Sequence, residues 1–150
     1  MYDQPRPNPS QTFMTFDQML ERVRYEGAYP TRERAAEAVH HVLAALGRQL
    51  TGDERADLAQ CLPIEAALTL TSQIPDTEPL TGWGFVKDLA ARTGAGPAIA
   101  RWDTGAVLAV VRRLAGPDLL ARVIEGLPNG YALLFGQVEL RRPRLLAAAV

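Results

Sequence analysis

The chain has 150 residues, 47% hydrophobic and 22% charged, with a formal net charge of -1; that length suits one domain with a sizeable core. A near-neutral balance argues against general nucleic-acid binding, which needs a basic face to displace counterions. One cysteine, Cys61, excludes an intrachain disulfide and a cysteine zinc site. No apolar run approaches the roughly 20 residues of a membrane span, and a cytoplasmic setting is the simplest expectation.

Residues 1–12 carry Pro5, Pro7 and Pro9 and little to bury, so a disordered tail is expected. The first helix should begin after Thr15, with Gln18 completing a capping box and Met14 and Met19 placed as its hydrophobic staple. Phe16, Met19, Leu20 and Val23 then recur at helical spacing, and Gly27 ends the run. Thr31 is the expected cap of the second helix, whose Ala35, Val39, Val42, Leu43, Leu46 and Leu50 share one side. Thr51-Gly52-Asp53-Glu54 reads as another capping box, opening a third helix that buries Leu58, Ala59 and Leu62. Pro63 stops that helix and suits the start of a short fourth one to Leu70.

Residues 71–82, with Pro75 and Pro79, read as a connector. Trp83, Phe85, Val86 and Leu89 form the next apolar stripe. Pro97 opens a long helix to about Leu114, and Gly116-Pro117-Asp118 makes the following corner. Leu119, Val123 and Leu127 continue the core stripe, Gly126 ends their helix, and Pro128–Phe135 is expected as a closing helix. Residues 137–150 form a C-terminal tail. No stretch alternates with the two-residue period of a strand, so no sheet is expected.

The second half repeats the first. Pro63 and Pro128 stand 65 residues apart, and at that offset Val42-Leu43-Ala44 meets Val107-Leu108-Ala109, Leu62 meets Leu127 and Leu70 meets Phe135. Phe16 and Phe85 are 69 apart, which puts four fewer residues in the second loop before the long helix. A unit with one apolar face needs a partner to cover it. The expected fold is therefore all-α, a helical bundle of two pseudo-repeated helical units, about 15–70 and 83–135, sharing one core in a domain of residues 13–136.

This pattern resembles the domain-of-unknown-function 2267 family of bacterial proteins. The residues that carry the likeness are Ala35, Val42-Leu43-Ala44, Thr51-Gly52-Asp53-Glu54 and Leu62-Pro63, with Val107-Leu108-Ala109 and Leu127-Pro128 in the second unit. The second unit departs at Gly116-Pro117 and in its shorter loop. The resemblance implies an all-helical protein with two such units in tandem and a bacterial source. It brings no catalytic residue with it.

Chemistry is sparse. Glu37 and His40 have the Glu-x-x-His spacing of helical di-iron sites, but such sites need a second copy of the motif. The chain holds two histidines, His40 and His41, and Gly105 and Ala106 stand at the matching places. His40 is expected at the edge of the apolar stripe and His41 opposite it. No metal and no cofactor are expected. Gly94-Ala95-Gly96 lacks the spacing and the preceding strand of a phosphate loop. Cys61 reads as a small core residue.

Asp103 and Thr104 are the odd pair, because a continuous helix would turn both toward the Val107, Val111, Leu114 face. Two readings stay open: a polar, ligand-binding pocket, or an Asp103 that caps a restarted helix or meets an arginine. In the tail, Arg141, Arg142, Arg144, Leu145 and Leu146 are the expected contacts for a protein partner or for self-association. The expected function is a non-enzymatic protein-interaction or scaffold module. The alternative is a small-ligand-binding protein or enzyme with a pocket between the two units.

Overall fold

The computed structural model describes residues 14–137. Among them are eight helices and no strand: α1 (Phe16–Gly27), α2 (Arg32–Gly47), α3 (Gly52–Cys61), α4 (Ile64–Thr71), α5 (Gly82–Thr93), α6 (Pro97–Ala115), α7 (Pro117–Glu125) and α8 (Tyr131–Leu134). The expected N-terminal tail, and the C-terminal tail beyond Gln137, lie outside the described residues.

The helix starts follow from local chemistry. Thr15 accepts a hydrogen bond from the Gln18 backbone at 3.1 Å, and the Gln18 side chain accepts one from the Thr15 backbone at 3.0 Å. Thr31 and Thr81 cap α2 and α5 through the hydroxyl alone, accepting from Arg34 N–H and Gly84 N–H at 3.1 Å. At Thr51 the expected box does not form. Thr51 holds the N-cap position of α3, but its side chain makes no cap bond. Gly52 takes a φ of 67°, a left-handed conformation that swings the following amides away from the Thr51 hydroxyl.

The two long helices, α2 and α6, pack on each other, and each also touches α1 and α5. α4 covers α2, while α7 and α8 lie against α6, and α3 bridges to α7. All eight helices feed one core, with Met19, Leu43, Leu46, Leu58, Leu70, Phe85, Leu108, Leu120, Tyr131 and Phe135 among its largest buried side chains.

Several expected core positions shift. Trp83 points outward. A Cβ added at Gly82 would lie 2.6 Å from the Gly130 backbone, so that end of α5 packs through Gly82, and Phe85, Val86 and Leu89 follow at helical spacing. Gly130 has a φ of 100°, and Gly82 N–H donates to the Asn129 carbonyl at 2.9 Å. The closing helix therefore starts at Tyr131 rather than Pro128. On α7 the buried pair is Leu120 and Val123, with Leu119 at its edge and Leu127, just past its end, half-buried. His40 is exposed and His41 half-buried, the reverse of the expectation. The cause is that α2 is covered by α1, α4, α5 and α6, which widens its buried arc beyond one stripe.

One arginine finishes two helix ends. The guanidinium of Arg55, on α3, donates to the carbonyls of Gly47, Leu50, Leu70, Thr71 and Gln73. These are orphan acceptors at the C-termini of α2 and α4, where a cation also meets the favourable end of the helix dipole. A Cβ at Gly47 would fall 2.1 Å from the Leu70 carbonyl oxygen, so glycine permits this approach of the two helices. The connector is tied to the same corner: Asp76 N–H donates to the Arg48 carbonyl at 2.8 Å and Leu80 N–H to Gln49 Oε1 at 2.9 Å.

Candidate functional site

Asp103 and Thr104 are the buried polar residues of the described chain, 7% and 0% exposed. α6 runs through them without a break, so Asp103 is not a helix cap. Its carboxylate meets Tyr29, between α1 and α2, and Arg34, in the first turn of α2. Arg34 Nη2 donates to Asp103 Oδ1 and Oδ2 at 3.0 and 2.9 Å, and the Tyr29 hydroxyl donates to Oδ1 at 2.5 Å. The Arg34 guanidinium also lies over the Tyr29 ring, 4.9 Å from its centroid. Burial, and then the bond and charge of Asp103, push the Tyr29 phenol well above its ordinary value. Burial works against the charge of Arg34, and the Asp103 hydrogen bond and charge outweigh it, raising that group. The buried carboxylate is thus matched by a cation and a phenol, as a charge in a low-dielectric setting requires.

Local geometry brings Tyr29 to this place. α1 ends at Gly27, and Ala28 takes a left-handed φ of 52°. The Tyr29 ring folds back over Gly27, where an added Cβ would sit 2.2 Å from it. Trp102, one residue before Asp103, donates its Nε1–H to the Gly27 carbonyl at 2.8 Å. The side chains of Tyr29, Arg34, Trp102 and Asp103 therefore fasten the α1–α2 corner to α6.

Beside this latch lies a cleft of about 350 Å³ between the corner and the first turns of α6. Gly27, Tyr29, Pro30, Ile99 and Trp102 give it mostly apolar walls, and Arg34 and Asp103 reach it from the latch. Thr104 does not line it; its hydroxyl donates to the Ala100 carbonyl at 2.7 Å within α6. On the other side of Trp102 a second cleft, of about 460 Å³, is lined by Glu26, Arg101, Gly105 and Ala106. Ala98 and Trp102 border both. Trp102 is 57% exposed and Ile99 50%. Sequence reasoning singled out Asp103 but missed Tyr29, Arg34, Ile99 and Trp102. Their one signal was a tryptophan beside an acid in a helix.

The other expected residues do not converge. His40 and His41 stack edge to face, 5.9 Å apart, and no group of three potential metal ligands occurs among the described residues. Cys61 is half-buried, with its thiol aimed at the Asp57 carbonyl at 3.5 Å; burial, then the Asp57 charge, push the thiol up. Arg141, Arg142, Arg144, Leu145 and Leu146 lie outside the described residues. No helix among those described is long and apolar enough to cross a membrane.

The family model of an uncharacterized conserved protein, DUF2267, matches residues 16–134. The chain belongs to the DUF2267 family. That match begins at the first residue of α1 and ends at the last of α8, so it takes in the latch and both clefts of this DUF2267 chain. No curated protein matches the chain.

Proposed function

We propose that the protein is a non-enzymatic protein-interaction module that docks its partner on the Ile99 and Trp102 face of α6. The observation that carries this reading is Trp102 itself: a half-exposed indole, held by a hydrogen bond to the Gly27 carbonyl, standing between two clefts. Binding energy at protein interfaces concentrates in such aromatic anchors, and an anchor already held in place loses little entropy on binding. Both oxygens of Asp103 are taken by Arg34 and Tyr29, which suits a structural role better than catalysis. The eight helices are read as two copies of a four-helix unit, α1–α4 and α5–α8, with the docking face at their junction.

The test is affinity capture with the wild-type chain and with Trp102→Ala, checked for equal folding by melting curves. A partner held by the first and lost by the second supports the reading, and identical capture refutes it. A second reading, a small ligand in the cleft beside Asp103, draws on that cleft's size, which falls within the range of small-molecule sites. A metabolite that raises the melting temperature of the wild type but not of Ile99→Glu would favour it.

A further inference from the structure

The two clefts beside Trp102 differ in chemistry, and that difference specifies a partner. The cleft on the Ile99 side is walled by Gly27, Tyr29, Pro30 and the indole. It offers apolar surface, and the charges that reach it already neutralise each other, Arg34 against Asp103. The cleft on the other side carries Glu26 and Arg101. Glu26 is paired with Arg113 at 3.7 Å. Arg101 is exposed and has no ion-pair partner among the described residues. Its guanidinium folds along α6 so that a Cβ at Gly105 would lie 2.9 Å from Nη1. Glycine at 105 leaves room for the cation to lie low beside the indole. Among the described residues the face is therefore an apolar slot and, across the fixed tryptophan, an arginine that forms no ion pair.

Resting on the interaction-module reading, we infer that this surface takes a short segment of a partner protein in which an apolar side chain lies close to a carboxylate. The apolar side chain enters the slot formed by Tyr29, Pro30, Ile99 and Trp102. The carboxylate reaches across the indole to the Arg101 guanidinium, whose planar fork suits a carboxylate. Affinity comes from the slot and specificity from the charge.

Trp83→Phe leaves Trp102 as the single tryptophan of the chain, so its fluorescence reports binding. The probes are short synthetic peptides that place Glu at each position near one Leu or Phe, with matched peptides carrying Gln or Lys in place of Glu. The best Glu peptides should bind about three- to fivefold more tightly than their Gln counterparts, the size of a solvent-accessible ion pair. Raised salt should shrink that margin. Arg101→Gln should abolish it, and Arg101→Glu should turn the preference toward Lys. Ile99→Glu, at a half-exposed site, should weaken all binding by about thirtyfold, as loss of an interface anchor does.

Equal binding of Glu and Gln peptides, or no binding by any peptide, overturns the inferred partner chemistry. If capture of a partner still depends on Trp102 in that case, the interaction-module reading survives it. If the concentrated protein is a dimer by light scattering and Trp102→Ala makes it monomeric, the occupant is a second copy and the peptide inference is wrong. If neither peptide binding nor partner capture responds to Trp102→Ala or Ile99→Glu, both readings fail together.

Discussion

The two long helices share part of their core and differ in the rest of what they carry. At an offset of 65 residues, Val42 and Leu43 on α2 meet Val107 and Leu108 on α6, and all four are buried. Four other positions part company at the same offset. Arg34, Glu37, Ala38 and Val39 on α2 stand where α6 has Ile99, Trp102, Asp103 and Thr104. The exposed Ile99 and Trp102 and the latch carboxylate thus lie on one long helix, with Arg34 of the other supplying the cation. Farther along, Gly47 on α2 stands where α6 has Arg112. The first corner needs Arg55 from α3 to satisfy its carbonyls. In the second, Arg112 itself donates to the Phe135 and Gly136 carbonyls at 3.5 and 3.2 Å. The core thus agrees at Val42-Leu43 and Val107-Leu108 but not at the buried Ala38-Val39 and Asp103-Thr104, and the helix ends are finished in two different ways.

Exchanging the two helices' character at Asp103 should have the largest effect. Asp103→Ala installs what α2 has at Ala38, removes the partner of the Tyr29 hydroxyl and leaves Arg34 only a long contact with exposed Glu37 at 3.9 Å. It should cost about 3 kcal/mol, the scale for removing one partner of a buried ion pair, read from the denaturation midpoint at unchanged slope. Asp103→Leu combined with Arg34→Met and Tyr29→Phe should recover most of that loss. A loss well under about 1 kcal/mol would mean that the latch contributes no more than an exposed pair.

The two corners should differ next. Arg55→Ala strips five carbonyls of their donor and should cost about 2 kcal/mol, the range for a bond to a charged group. Arg112→Ala, with two long bonds, should cost under about 1 kcal/mol. Equal losses in urea denaturation would erase the distinction between the corners.

The caps give a smaller contrast. Thr15→Ala should cost about 1 kcal/mol, and Thr51→Ala, which removes no cap bond, less than about 0.5 kcal/mol. Reversed values would restore the capping box at Thr51.

The gentlest test is alkaline. The Tyr29 phenol is raised above its ordinary value of 10.0, by burial first and Asp103 second. A raised folded-state value stabilises fully below the unfolded value and is lost as pH rises beyond it. Stability should therefore decline above about pH 10, less steeply in Tyr29→Phe. Some decline should remain, because burial also raises Tyr131. An unchanged slope in the variant would show that Tyr29 ionises as easily folded as unfolded.

What was legible in the sequence was what depends on near neighbours. Thr15 and Gln18 lie three residues apart, so the box and the helix it starts could be read directly. Apolar spacing gave α1, α2, α5 and α6 nearly to their ends. Thr51-Gly52-Asp53-Glu54 has the same spacing, yet Gly52 adopts a conformation that the letters permit but do not announce. Leu119 and Trp83 look as apolar as Leu120 and Phe85; which of them turns inward is set by where Gly116 and Gly82 start their helices. Asp103 stood out as an anomaly, but its partners Tyr29 and Arg34 lie 74 and 69 residues away. No local pattern points across that distance.

The reach of Arg55 bears on the order in which the molecule comes apart. Every carbonyl it binds lies within 18 residues along the chain, whereas the latch closes a loop of 69 residues or more. Short loops cost less entropy to close and re-form readily after a fluctuation. The C-terminal turns of α2 and α4 should then exchange their amide hydrogens together and late. The first turns of α6, held by Trp102 and Asp103 to a distant corner, should exchange earlier, as a separately opening unit. Of the two ties, the latch has the longer loop to close and would be the slower to re-form.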